Sequence, residues 1–197
     1  MHSRQLADII SSRICHDLIS PVGAISNGVE LMTEINGMTP EMELINQSAE
    51  TAKAKLMFFR IAFGSASKTA VSGHSATISV VQKMFVNGRV EVAFTEPWGD
   101  RPRSLVKLLY LLILCVESSL PRGGVISITP TRSGWEFLVE NTKIDAPHEL
   151  WDATLNGDPF GDLSSNQVQF QLARDAAEAI DIKLAGSFTE DRLSLIF

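Results

Sequence analysis

Residues 13–32 read RICHDLISPVGAISNGVELM, and the spacing of their apolar side chains decides how the first third of the chain folds. At about 100° per residue, an α-helix gathers Ile14, Leu18, Val22, Ile25, Val29 and Met32 on one side, at intervals of three and four. His16 sits about 200° round the helix from both Ile14 and Leu18. Its neighbours on that side are Ser12, Arg13, Ser20, Gly23, Asn27 and Glu30, small or polar almost throughout. A histidine meant to pack belongs on the apolar side. This pattern presents His16 to its surroundings.

The helix extends outward from this segment, from about Arg4 to Ile35, and closes at Asn36-Gly37, a good C-terminal cap pair. A second helix opens at Thr39-Pro40-Glu41, with a capping hydroxyl, a proline in the first turn and an acid on the positive end of the dipole. It carries a seam of Leu44, Ile45, Ala49, Ala52, Leu56, Phe59 and Phe63, and stops before Gly64-Ser65-Ala66-Ser67. A three-residue connection predicts an antiparallel hairpin. Two helices cannot cover both seams, so the simplest completion is a homodimer that doubles the hairpin into a four-helix bundle.

Residues 64–74, GSASKTAVSGH, are small and polar and read as a linker. They separate a helical domain over 1–66 from a second domain over 75–197. That domain should begin with a helix over 76–86 and a strand over 90–94. An apolar helix to about Leu120 and the turn Pro121-Arg122-Gly123-Gly124 follow. Strands near 125–129 and 135–140 form a hairpin across Ser133-Gly134. A loop rich in Asp, Pro and Gly leads to a helix over 166–180 and strands over 183–187 and 192–196. Helices grouped against strand hairpins predict an α+β fold, a two-layer α/β sandwich behind the helical hairpin.

Hydrophobic residues make up 45% and charged residues 20% of the 197, which is the balance of a globular protein. The net charge of −6 and the lack of a long basic run argue against nucleic acid or an anionic membrane surface as partner. The longest apolar stretch, Leu105 to Val116, is too short to span a bilayer and carries Lys107. His2, Arg4 and Asp8 interrupt any leader-like opening, and Cys15 and Cys115 read as reduced core thiols. The expected location is the cytoplasm. His2, His74 and His148 show no ligand spacing with the cysteines, so no metal site is expected.

Imidazole titrates near neutrality, which leaves a ring nitrogen free to attack phosphorus without a dedicated base. Phosphoryl transfer asks mainly for positioning and charge stabilisation, and small neighbours let a partner's active site close over the ring. Asp17 can orient a ring nitrogen or take its proton through a water. Arg13, one turn back, can counter phosphoryl charge, although an exposed helical arginine is ordinarily just solvated. Ser20 offers a hydroxyl, and Gly23 and Asn27 are candidate docking positions, although small residues in helices also serve close packing. Pro21 has no N–H for the carbonyl of Asp17 and should bend or loosen the helix beside His16.

His16, Asp17 and Pro21 resemble the phosphoacceptor box of sensor histidine kinases, with Ile19 in place of the usual basic residue and Ser20 for the usual threonine. The run HDLISPVGAISNGVELM is more similar to the ChpT family of histidine phosphotransferases, and Leu120-Pro121-Arg122-Gly123-Gly124 resembles that family's second half. The resemblance spans essentially the whole chain. It implies a dimeric hairpin that carries phosphohistidine, followed by a fold resembling the ATP-binding domain of histidine kinases but without nucleotide. It also implies as partners the receiver domain of a hybrid histidine kinase and response regulators, with Mg²⁺ only in those receivers and no cofactor in this chain.

The kinase nucleotide motifs are missing. Leu111 and Cys115 stand where asparagines should handle Mg²⁺ and phosphate, Glu140-Asn141-Thr142-Lys143-Ile144 lacks the adenine-loop glycines, and residues 165–170 lack a glycine-rich lid. His16 should therefore receive phosphate from another protein. The rival reading is a non-catalytic dimeric interaction or anti-kinase module, with an ATP-dependent kinase third.

Overall fold

The structure, a computed structural model, describes residues 3–65 and 70–197, with the side chains of the first helix from Ala7 onward. The chain divides into two compact units, residues 1–65 and 66–197. Residues 66–69, inside the expected linker 64–74, lie outside the described residues.

The first unit is a hairpin of α1 (Ser3–Asn36) and α2 (Pro40–Ala62) packed on each other. Gly37 stops α1 in the left-handed region at φ +76°, where a Cβ would be strained, and its N–H reaches the Thr33 carbonyl at 2.9 Å. Thr39 caps α2 by accepting from the Met42 N–H at 3.3 Å, with Glu41 and Glu43 in the first turn. Helix α1 is continuous through Pro21, so the missing N–H interrupts one bond of the ladder without ending the helix.

The broad apolar side of α1 divides in two. Cys15, Ser26 and Val29 are buried against α2, with Ile19 and Val22 half-covered. Ile14, Leu18, Ile25 and Met32 remain about half exposed on an adjoining stripe. The α2 seam is shifted as well: Ala54, Phe58 and Ala62 are buried along with Ala49, while Leu44 and Ile45 stay exposed.

The second unit holds β1 (Val71–Ser72), α3 (His74–Phe85), β2 (Val90–Phe94), β3 (Arg101–Pro102), α4 (Arg103–Ser118), β4 (Gly124–Pro130), β5 (Trp135–Glu140), α5 (His148–Asn156), α6 (Val168–Glu178), β6 (Ala185–Phe188) and β7 (Arg192–Ile196). Two expectations need correction. The segment 70–74, read as linker, contains β1 and the start of α3; β1 is held by pairing with β3. The loop before α6 contains α5, fixed by Trp151, whose ring packs on Phe170 and Phe188 and whose Nε1 donates to Ser119 Oγ at 3.0 Å.

The main sheet runs β2-β4-β5-β7-β6, antiparallel except for β2 and β4, which α4 connects in parallel. The β4–β5 hairpin pairs Pro130 with Trp135, as its turn residues predict. One sheet face buries Val90, Val92, Ile126, Ile128, Trp135, Phe137, Val139, Leu193 and Leu195. Helix α4 is buried at every position from Leu105 to Val116, as an all-round apolar helix must be. At the turn into β4, a Cβ on Gly123 would lie 1.9 Å from the Arg89 carbonyl oxygen, and its φ of +78° also excludes other residues. Arg89 ties the same corner, donating to the Leu120 carbonyl at 2.6 Å and to Glu117 at 3.0 Å. Among the described residues no helix is long and apolar enough to cross a membrane.

Candidate functional site

The three azimuths of α1 set the site. Taking the exposed apolar stripe as reference, the α2-facing side lies about 90° round the helix and His16 about 180°, on the wall that neither α2 nor the stripe occupies. The His16 side chain is 79% exposed. Ser20 and Asn27 are exposed on this wall, Pro21 is exposed about 140° round from His16 beside the apolar stripe, and Gly23 is half-exposed with open space where a Cβ would stand. Gly23 is therefore not required for packing among the described residues of the hairpin.

Consecutive residues on a helix point about 100° apart, so His16 and Asp17 do not face each other by default. In this protein they meet: His16 Nδ1 lies 3.1 Å from Asp17 Oδ1. The other carboxylate oxygen, Oδ2, accepts from Arg13 Nε at 2.5 Å across one helical turn. Hydrogen bonding from Arg13 first, and from His16 second, holds the Asp17 carboxyl below the usual carboxylate range. The same pair raises the already high pKa of the Arg13 guanidinium. An ionised carboxylate only accepts hydrogen bonds, so in the neutral ring the 3.1 Å contact favours the proton on Nδ1 and the lone pair on Nε2.

Of the sequence-derived residues, the structure brings His16, Asp17 and Arg13 together. Arg13 is bonded to Asp17 rather than held open for an incoming group. Ser20, Gly23 and Asn27 stand apart as wall residues with no bond to the histidine among those described. Pro21 has no N–H to give the Asp17 backbone carbonyl, one residue after His16. The i, i+4 spacing of Arg13 and Asp17 is the sequence signal for their pairing.

In the second unit, Leu111 and Cys115 are completely buried in α4, and burial pushes the Cys115 thiol well up. Thr142 Oγ1 donates to the Gly123 carbonyl at 2.8 Å, and its side chain packs against Gly124. A cleft of about 560 Å³ opens beside α5, lined by Glu149, Asp152, Asp158 and Asp162 together with His148. No group of side chains able to hold a metal ion occurs among the described residues.

The helical hairpin followed by an α/β sandwich is a fold shared with a solved bacterial phosphotransferase. The model of the histidine phosphotransferase C-terminal domain matches residues 75–192, and the chain belongs to that family and is a protein phosphotransferase. It is 31% identical over 185 residues to the protein phosphotransferase ChpT of Brucella abortus (strain 2308), covering 91% of this chain and 88% of the relative. It is also similar to a bacterial phosphotransferase solved at 1.7 Å, with a TM-score of 0.69, 28% identity, and 93% and 91% of the two chains covered.

Proposed function

We propose that His16 is the phosphorylated residue and that it relays a phosphoryl group between aspartates of receiver domains, from a hybrid histidine kinase to response regulators. The observation that carries this reading is the exposed ring whose Nδ1 is engaged by Asp17 while Nε2 faces outward. In the step itself, the Nε2 lone pair attacks the phosphorus of an aspartyl phosphate. An N–P bond forms, the O–P bond to the donor aspartate breaks, and its electron pair returns to the donor carboxylate. The ring becomes positively charged as the bond forms, and Asp17 faces that charge across the Nδ1–H. The reverse sequence hands the group to the next receiver. Mg²⁺ and the remaining phosphate-binding groups belong to the receiver.

The chain needs no nucleotide of its own in this scheme. Buried Leu111 and Cys115 cannot reach a metal-bound phosphate, and the acidic lining of the α5 cleft opposes a polyphosphate. The half-exposed stripe of Ile14, Leu18, Ile25 and Met32, with Leu44 and Ile45 of α2, supports a homodimeric four-helix bundle that leaves both His16 walls open. A cytoplasmic location agrees with partners of this kind.

The deciding experiment mixes the protein with a phosphorylated receiver and follows acid-labile phosphate. The wild type should become labelled and His16→Ala should not, although both bind the receiver. Tight binding by both without labelling of the wild type would instead indicate an interaction module. Labelling from ATP alone would overturn the relay.

A further inference from the structure

We infer that Arg13 is a positioning residue: through Asp17 it fixes the tautomer and direction of the His16 ring, rather than meeting the phosphoryl group itself. This inference rests on the reading of His16 as the phosphoryl acceptor.

Helix geometry does not favour the contact between His16 and Asp17. Side chains at i and i+1 diverge, so the Asp17 carboxylate has to lean back toward the N-terminus of α1 to reach the His16 ring. Helix arithmetic shows where the pull comes from. Relative to Arg13, Asp17 lies about 40° to one side and His16 about 60° to the other, so Arg13 stands between them one turn earlier. Its Nε takes Oδ2 at 2.5 Å, which turns Oδ1 onto His16 Nδ1 at 3.1 Å. Each carboxylate oxygen then has its own donor, and the rotation of the carboxylate about its final bond is fixed.

The alternatives for the same three side chains are specific. Without Arg13, Asp17 is an exposed acid free to extend into water, and the imidazole samples both neutral tautomers. In one of these the proton sits on Nε2, and that nitrogen cannot attack phosphorus. An arginine acting instead as a counter-charge would have to leave Asp17 when phosphate arrives, exchanging one charge-assisted bond for another. The two roles therefore predict different measurements.

The test uses the full-length protein with ¹⁵N-labelled histidine and a phosphorylated receiver as donor. The His16 ring signals are identified by their loss in His16→Gln. In the wild type the neutral ring should be predominantly protonated at Nδ1. Arg13→Ala should shift the ring toward a mixture of tautomers and lower the maximal single-turnover transfer rate about tenfold. The donor concentration at half-maximal rate should stay within about twofold, because no docking contact is removed. Arg13→Gln is neutral but its amide N–H can still reach Asp17 four residues on, so it should restore transfer to within about threefold of wild type.

An unchanged tautomer in Arg13→Ala overturns the inference. So does a loss confined to the half-saturating concentration, or an Arg13→Gln variant as slow as Arg13→Ala, since each is the signature of a counter-charge. Acid-labile phosphate on His16→Ala would instead remove the reading of His16 on which the inference rests, whatever Arg13 does.

Discussion

At the scale of single residues, the chemistry is concentrated in one carboxylate. Asp17 has its ionised form favoured by Arg13 and His16, so its folded pKa lies below the ordinary value of 3.8. The sign follows directly: any stability from this pairing is present above that range and is lost only as the pH falls through the lowered value. Both partners are largely exposed, so the contribution to folding is small and the consequence is for reactivity. The Asp17 carboxylate is thus ionised at every pH near neutrality and should add no limb to the transfer–pH profile there. Asp17→Asn keeps the size but adds an N–H₂ that can donate to Nδ1 and favour the unproductive tautomer. Single-turnover transfer by this variant should fall about tenfold to a hundredfold, with the fold unchanged by circular dichroism. The exposure of His16 was legible from helix phase. The Arg13 bond was legible only as a spacing, because an arginine can serve an acid or an anion and sequence does not say which is nearer.

At the scale of elements, Pro21 is the informative defect. It removes one i to i−4 bond from a long helix that nonetheless continues past it to Asn36. Pro21→Ala should restore the bond to the Asp17 carbonyl and stabilise the hairpin by up to about 3 kcal/mol, read by urea unfolding at fixed protein concentration. A midpoint that stays the same or falls would mean that packing around the proline already compensates. Helices α1, α2, α4 and α6 were legible because each carries caps, periodicity or a long apolar run. Helix α5 was not, since nine residues in a segment rich in Asp, Pro and Gly give a weak periodic signal. Its helical form depends on Trp151, which is almost fully buried between Ser119, Phe170 and Phe188, residues brought together only by folding. The short β1–β3 pairing was hidden for the same reason.

At the scale of the whole molecule, the exposed apolar stripe of the hairpin is the feature that asks for a partner. Soluble surfaces tolerate scattered leucines, but Ile14, Leu18, Ile25 and Met32 share one azimuth along α1 within about 40°. Ile25 lies well along the helix from His16 and on the opposite wall, so Ile25→Glu should break a dimer without touching the His16 ring. Light scattering after gel filtration should give twice the mass of one chain for the wild type and a single-chain mass for the variant. A monomeric wild type would remove the bundle from the proposed mechanism. The second unit is stabilised independently of this question by its own apolar layer, with α4 buried from Leu105 to Val116 and one sheet face closed.

The sequence by itself determined the hairpin, its caps and the phase that displays His16. These are local matters: backbone capping, helical period and residue chemistry act over a few positions and can be read along the chain. The tertiary structure decided which half of the broad α1 apolar side α2 covers, where α5 forms, and the parallel pairing of β2 with β4. It also decided that Arg13 serves Asp17. Those outcomes depend on which surfaces and rotamers meet, and several of them join residues far apart in sequence. Periodicity fixes the direction of each side chain from its own helix, while packing selects the neighbour it finds there.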